Sequence, residues 1–250
     1  MQSKTIIRGI PIANVTMDEA VDAAKSYIDS DRALPARIFT PNAEILQCCI
    51  EDRDVFSIIT AAEMCIPDGS GVLLAAKILG TPLKQKVAGV EFGERLFALS
   101  KENGYRVFLL GAKPGISEAA AEKMGAKYPG LCICGTNDGY FQKSGKENDA
   151  VLEKIKASKA DILFVCLGAP AQEKWISDNL SSLGKVKLCV GLGGSLDIYA
   201  GNVKRAPKIF IKLHCEWLHR LLKQPSRLWR MMKLPKWVLG TVKYKFRKKL

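Results

Sequence analysis

The chain has 250 residues, 48% of them hydrophobic and 25% charged, with a formal net charge of +13 at pH 7. That length suits one large domain or a domain with an appendage, and no uncharged apolar run of about 18 residues is present to span a membrane. The eight cysteines form no CxxC pattern and the two histidines, His214 and His219, both lie near the C-terminus, which argues against a disulfide framework, a thiol redox site and a His-based zinc site.

In chain order, Lys4–Ile10 is a short β-rich run with no signal-peptide character around it, so a reduced, cytoplasmic protein is expected. Thr16-Met-Asp-Glu19 is a capping-box pattern that opens a helix to about Ile28. Arg37–Phe39 reads as a strand ending in Thr40-Pro41-Asn42, followed by a helix that carries Glu44, Ile45 and Leu46 and by a helical segment over Asp54–Thr60. Glu63–Ile66 is a strand leading into Pro67-Asp68-Gly69, and helices follow to about Leu79 and over Val90–Lys101. The rhythm then becomes regular. Strands over 106–110, 131–134, 161–167 and 186–190 alternate with helices over 116–127, 149–158 and 172–180. Continuous apolar strands separated by helices imply an α/β fold, Rossmann-like, with a mainly parallel sheet and helices on both faces.

Charge divides the chain. Residues 204–250 hold fifteen Lys and Arg against the single acid Glu216, while the first 203 residues carry 23 bases and 24 acids. Three of the four tryptophans, Trp217, Trp229 and Trp237, lie in the same segment. The expected organisation is therefore an α/β catalytic core over 1–203 and a basic helical appendage over 204–250, broken near Pro225 and Pro235. A basic amphipathic segment of this kind suits an anionic membrane surface. An ordinary C-terminal helix packed on the core also fits Leu213–Leu222. No nucleic-acid-binding motif accompanies the charge, and the body has no basic excess to extend a groove. An exposed apolar tail also allows homo-oligomers, and if the tail is a membrane foot, removing the chain after about Gly201 is expected to raise solubility.

In an open α/β sheet, ligands bind beyond the carboxyl ends of the strands. The turns there are Thr40–Asn42, Pro67–Gly69, Gly111–Gly115, Gly135–Phe141, Gly168–Gln172 and Gly191–Asp197. Their Gly, Asn, Asp, Thr and Gln residues, and the helix N-termini that come after several of them, suit a nucleotide or nucleotide-sugar. Tight βα turns require many of the same residues. Gly111-x-x-x-Gly115 is neither a P-loop nor a GxGxxG fingerprint. Two Asp-x-Asp triplets, Asp29–Asp31 and Asp52–Asp54, sit at helix ends rather than after strands, so helix-end clusters are expected, with no metal. A diphosphate leaving without metal needs another cation, and the arginines of the tail are a source. Asp68, between Pro67 and Gly69, is the candidate general base; it could equally cap the helix that begins near Ser70. Arg220, Arg227 and Arg230, spaced by seven and three, would share a broad face of a continuous helix, which Pro225 interrupts.

An ordered set of short motifs runs through the chain: Thr40-Pro41-Asn42, Pro67-Asp68-Gly69, Gly139-Tyr140-Phe141, Gly168-x-Pro170-x-Gln172-Glu173, Gly193-Gly194-x-x-Asp197, Arg205-Ala-Pro207, and Glu216-Trp217-x-x-Arg220 continuing to Pro225, Arg227 and Arg230. From about Ile10 to Trp237 this resembles the WecG/TagA/CpsF family of bacterial glycosyltransferases. The resemblance implies a Rossmann-like core and inverting, metal-independent transfer of a sugar from a UDP donor. N-acetylmannosamine is the expected sugar; its uronic acid, glucose or galactose are the alternatives. The implied acceptor is polyprenyl-diphosphate-linked N-acetylglucosamine at the cytoplasmic membrane face, in teichoic acid or related polysaccharide synthesis. It also implies roles: Asp68 as general base; Thr40, Asn42 and Gln172 in the catalytic pocket; Gly139, Tyr140, Gly194 and Asp197 around UDP; and Arg220, Arg227 and Arg230 on diphosphate. A nucleotide-binding protein that docks on membranes without catalysis is the reading of a different class.

Overall fold

The structure is a computed structural model that describes residues 3–203, 207, 210 and 232–247. In chain order its elements are β1 (Lys4–Ile7), β2 (Ile10–Ala13), α1 (Met17–Asp29), β3 (Ala36–Phe39), α2 (Ala43–Glu51), α3 (Arg53–Thr60), β4 (Met64–Cys65), α4 (Ser70–Leu79) and α5 (Gly89–Asn103). They continue with β5 (Arg106–Gly111), α6 (Ile116–Lys127), β6 (Cys132–Asn137), α7 (Lys146–Ser158), β7 (Ile162–Cys166), α8 (Ala171–Asn179), β8 (Leu188–Gly191), α9 (Ser195–Tyr199) and α10 (Lys233–Arg247). The chain folds as two units, one of residues 1–17, 40–88 and 204–250, the other of residues 18–39 and 89–203.

The larger unit is built on a parallel sheet in the order β3-β8-β7-β5-β6. Its central strands are the continuous apolar runs of the sequence, and every residue of β7 is buried. Register is set by pairs such as Leu109 with Phe164, Val165 with Gly191 and Phe39 with Gly191. Helices α5, α6 and α8 pack on these strands, and α9 packs on α5 and α6. Phe97 of α5 meets Phe164 of β7 at 4.9 Å and Tyr199 of α9 at 5.4 Å between ring centroids. Because all five strands run the same way, the turns after β5, β6, β7 and β8 lie at one end of the sheet. The strand expected over 131–134 extends to Asn137, since β6 pairs with β5 as far as Leu110 with Asn137. Its polar end, Gly-Thr-Asn, carries no apolar pattern because β6 is only half-buried throughout.

In the smaller unit, the single run expected over Lys4–Ile10 is the first arm of an antiparallel hairpin, β1 with β2. Arg8 and Gly9 turn it with φ of 51° and 88°, the left-handed pair a two-residue hairpin turn requires. Asn42 caps α2 by accepting the Ile45 N–H at 3.0 Å. Asp52 caps α3 through the N–H groups of Asp54 (2.8 Å) and Val55 (3.2 Å). Helix α10 packs on α2 and α4. It buries Trp237 and Thr241 completely, so this part of the basic segment supplies core to the unit that holds Asp68.

The two Asp-x-Asp triplets have the helix-end roles expected of them. Asp52 is the cap just described. Asp29, in the larger unit, pairs with Lys25 at 2.5 Å and accepts the Tyr105 hydroxyl at 2.5 Å.

Candidate active site

The smaller unit carries the carboxylate. Pro67 is buried, and its carbonyl accepts the Val87 N–H at 2.9 Å. Gly69 comes after Asp68 at φ +86° and is itself the N-cap residue of α4, a backbone conformation open to glycine and costly for other residues. Asp68 therefore stands outside the cap position, half-buried, on a turn held from both sides. A Cβ on Gly69 would lie 3.6 Å from the Asn42 Cβ. The Thr40–Asn42 turn and the Asp68–Gly69 turn are thus neighbours, and the structure brings three of the expected catalytic residues into one region. Thr40 is buried, and the Asn42 side-chain oxygen is engaged in capping α2. A fixed, half-buried carboxylate beside polar side chains can accept a proton from a hydroxyl.

The larger unit gathers the turns at the carboxyl end of its sheet. Ala112 N–H donates to the Cys166 carbonyl at 3.1 Å, and Gly139 N–H donates to the Ala112 carbonyl at 2.8 Å. The turns after β5, β6 and β7 are therefore tied together. Gly139 allows the approach: a Cβ there would be 3.1 Å from both the Ala112 oxygen and the Leu167 side chain. Tyr140 comes next, its N–H on the Asp138 carboxylate at 2.7 Å and the residue 69% exposed. Phe141 is anchored instead, edge-on to Trp175 at 6.4 Å. Lys143 clamps the same turn by donating to the carbonyls of Gly139 (2.8 Å) and Phe141 (2.5 Å). Desolvation by burial holds the Lys143 ammonium below its ordinary range, partly offset by Asp138 and Glu147. The Trp175 indole in turn donates to Asn148 at 2.7 Å, within a buried Asn148–Asn179 network. An exposed ring on an anchored turn is a stacking face for a planar base.

Gln172, in the first turn of α8, is buried. Its Oε1 accepts the Gly193 N–H at 2.9 Å, and its Nε2 donates to Glu173 Oε1 at 2.8 Å. Gly191 makes room: a Cβ there would lie 2.8 Å from Gln172 Nε2 and 3.3 Å from the Phe39 ring. Gly194 is exposed just beyond, and Asp197 is half-buried on α9. The structure thus brings Gly139, Tyr140, Gln172, Gly194 and Asp197 to the carboxyl end of this sheet. Glu173 is fully buried, and its Oε2 has no hydrogen-bond partner among the described residues. Burial pushes its carboxyl up to about 7, against the hydrogen bond from Gln172. In the sequence Glu173 stands inside a motif without a role of its own. An acid in the first turn of a helix is ordinarily a solvated partner of the helix dipole, and nothing in the pattern marks this one as buried.

Arg220, Arg227 and Arg230 lie outside the described residues. Beyond them, α10 is described. Lys233 approaches the Cys48 sulfur at 2.9 Å, and Lys236 pairs with Glu51 at 2.5 Å. On the outward side, Met232, Leu239 and Phe246 recur every seven residues with exposures of 58%, 70% and 64%. Lys243 and Arg247 are exposed as well, and by helical spacing they fall beside this stripe. Among the described residues no helix is long and apolar enough to cross a membrane, and no group of three or more His, Cys, Asp or Glu could hold a metal ion.

The model of the glycosyl transferase WecG/TagA/CpsF family matches residues 5–250. An N-acetylglucosaminyldiphosphoundecaprenol N-acetyl-beta-D-mannosaminyltransferase of Bacillus subtilis (strain 168) is 36% identical over 250 residues, covering 100% of this chain and 94% of its own. The enzyme of the same name from Bacillus spizizenii (strain W23) is 36% identical over 219 residues, 88% of this chain and 82% of its own. The one from Staphylococcus aureus (strain MRSA252) is 32% identical over 233 residues, 93% and 90% respectively.

Proposed function

The chain belongs to the WecG/TagA/CpsF family of glycosyl transferases, and from that premise we propose that it moves N-acetylmannosamine from UDP-N-acetylmannosamine to undecaprenyl-diphosphate-linked N-acetylglucosamine. The observation that carries this choice of sugar and acceptor is the name shared by the Bacillus and Staphylococcus relatives, which align over 88–100% of the chain. The product would serve the linkage of teichoic acid or a related cell-surface polymer.

Transfer from a UDP-sugar needs a base on the acceptor hydroxyl, a holder for the nucleotide and positive charge for the departing diphosphate. Asp68 is the base. Its place outside the cap position of α4, on a turn fixed by Pro67 and Gly69, supports that role. The acceptor oxygen attacks the anomeric carbon as the bond to the UDP oxygen breaks, and its proton passes to Asp68, so the configuration inverts in one displacement. Thr40 and Asn42 line the same turn region as Asp68. Tyr140 offers its exposed ring to uracil, with Gly139, Gly194 and Asp197 around the rest of the nucleotide. Arg220, Arg227 and Arg230 meet the diphosphate of donor or lipid, which lets the reaction run without a metal.

The acceptor is a membrane lipid, so the enzyme works as a peripheral protein at the cytoplasmic face of the membrane. The stripe of Met232, Leu239 and Phe246, with Lys243 and Arg247 beside it, supports docking on an anionic bilayer. The test is UDP release with the lipid-linked acceptor and a panel of UDP-sugars, in the presence of EDTA. Release with UDP-N-acetylmannosamine alone is expected. Release with the uronic acid, glucose or galactose donor instead would change the assigned sugar. UDP binding without release from any donor would make the chain a non-catalytic nucleotide-binding protein. Loss in EDTA with rescue by manganese would contradict metal independence.

A further inference from the structure

We propose that Glu173 is a positioning residue: it fixes the orientation of the Gln172 amide, whose oxygen holds the Gly193 N–H and thereby sets the turn that carries Gly194 and Asp197. The proposal rests on reading that turn as part of the UDP site, and it assigns to Gln172 an action through the backbone of Gly193.

A side-chain amide has two ends of nearly equal shape and opposite hydrogen-bonding sense. Gly193 offers only a donor, its N–H, at 2.9 Å from Gln172 Oε1. Glu173 Oε1 accepts from Gln172 Nε2 at 2.8 Å. Rotating the amide by half a turn would set its NH2 against the Gly193 N–H and its oxygen against a carboxyl oxygen. Glu173 on one side and Gly193 on the other therefore select one orientation. The selection takes place in a packed setting, with Gln172 and Glu173 each 1% exposed and no room for a Cβ on Gly191, which would fall 2.8 Å from Nε2. Gly193 sits at φ +56°; before it the Leu192 N–H donates to the Val165 carbonyl of β7 at 3.0 Å, and after it the bonds from the Ser195 N–H and hydroxyl to the Leu192 carbonyl are local. The Gln172 side chain ties the Gly193 position of this turn to α8. A buried carboxyl with one oxygen unpartnered is a costly way to fill space. An apolar side chain would fill it at lower cost but could not accept from Gln172.

The test is a pairwise exchange. Glu173→Leu removes the acceptor and keeps much of the volume. Gln172→Glu sets two carboxyls against each other. The double variant Gln172→Glu/Glu173→Gln rebuilds the pair with reversed polarity: the carboxylate at 172 accepts from the Gly193 N–H and from the new amide at 173. Each protein is assayed by UDP titration, donor KM, kcat and thermal melting. Glu173→Leu and Gln172→Glu are expected to weaken UDP binding and raise donor KM about tenfold, as loss of an oriented hydrogen bond implies. The change in kcat is expected to be smaller. The exchange is expected to recover most of the binding lost in Gln172→Glu, which a general loss of packing would not do. A folded Glu173→Leu protein that binds UDP like the wild type overturns the proposal, as does an exchange variant no better than Gln172→Glu. Wild-type protein that binds no UDP overturns the reading of the site, and the proposal with it.

Discussion

The indole N–H of Trp237 donates to the main-chain carbonyl of Gly71 at 3.2 Å. That bond joins α10 to the first turn of α4, three residues beyond Asp68. Arg8 lies over the same indole at 5.1 Å from the ring centroid and also reaches Gln47 of α2 at 3.4 Å. Trp237 is therefore a joint between the hairpin turn, α2, α4 and the C-terminal helix. Trp237→Ala is expected to destabilise the protein by about 3–5 kcal/mol, the range for removing a buried aromatic side chain. Urea unfolding followed by circular dichroism reads this out, and a loss below about 1 kcal/mol would show that α10 adds little to the fold.

Gly71 itself is under the same constraint. A Cβ there would fall 2.7 Å from the Ala43 Cβ and 2.8 Å from Leu234. Gly71→Ala should therefore force α2, α4 and α10 apart, although alanine favours helices. A destabilisation of about 1–3 kcal/mol is expected, as for other overpacked sites. A more stable variant in the same unfolding experiment would contradict the contact.

Two carboxylates give stability opposite dependences on pH. Hydrogen bonds from Lys236 first, then Gln47, hold Glu51 down to about 2. Its contribution is present above the ordinary carboxylate range and is lost as pH falls from about 4.5 towards 2. Burial raises Glu173 to about 7. The folded state then binds its proton more tightly than the unfolded chain, so stability falls as pH rises from about 4.5 to 7. Melting curves across pH 2–8 should show Glu51→Gln reducing the acid slope, to which Asp29, held down by Lys25 and Tyr105, also contributes, and Glu173→Gln reducing the slope above pH 4.5. Wild-type slopes in both variants would show that neither group titrates as assigned.

The apolar stripe on α10 predicts how the protein meets lipid. Leu239 and Phe246 are exposed, so Leu239→Asp with Phe246→Asp should leave melting unchanged. Burying a Leu or Phe side chain is worth about 1.5–3 kcal/mol. The double change should therefore weaken sedimentation with phosphatidylglycerol vesicles about tenfold or more, and unchanged binding would place the membrane contact elsewhere. Removing the whole segment after Gly201 is a poorer test. It takes away Trp237 and uncovers α2 and α4 together with the apolar stripe, so it changes the fold and the lipid contact at once.

Much of the sheet is legible in the sequence because it is buried on both faces. The run over 106–110 covers β5 except for Gly111, the run over 161–167 contains β7, and the helix over Ile116–Lys127 matches α6 residue for residue. The hairpin β1–β2 is not legible, because Arg8-Gly9 has none of the Asn-Gly or Asp-Gly signal of a two-residue turn. The polar half of β6 reads as loop because edge position, not hydrophobicity, makes it a strand. Charge separates residues 204–250 from the rest, yet charge reports the surface of a helix and not its buried face, so the packing of Trp237 against Gly71 cannot be read from it. At the site, the strand-end turns are legible because tight βα turns restrict residue choice. Burial of Glu173 depends on packing between turns distant in sequence, and no local pattern carries it.

In the proposed transfer from UDP-N-acetylmannosamine, Asp68 takes the acceptor proton, and turnover depends on that step. Its most direct test is Asp68→Asn, assayed for UDP release with the lipid-linked acceptor and, separately, for UDP affinity. The amide keeps the shape of the carboxylate and lacks its basicity. A fall in turnover of about 10²–10⁴-fold, with UDP affinity within about threefold of the wild type, is the predicted result. Wild-type turnover in a folded Asp68→Asn protein would contradict the account.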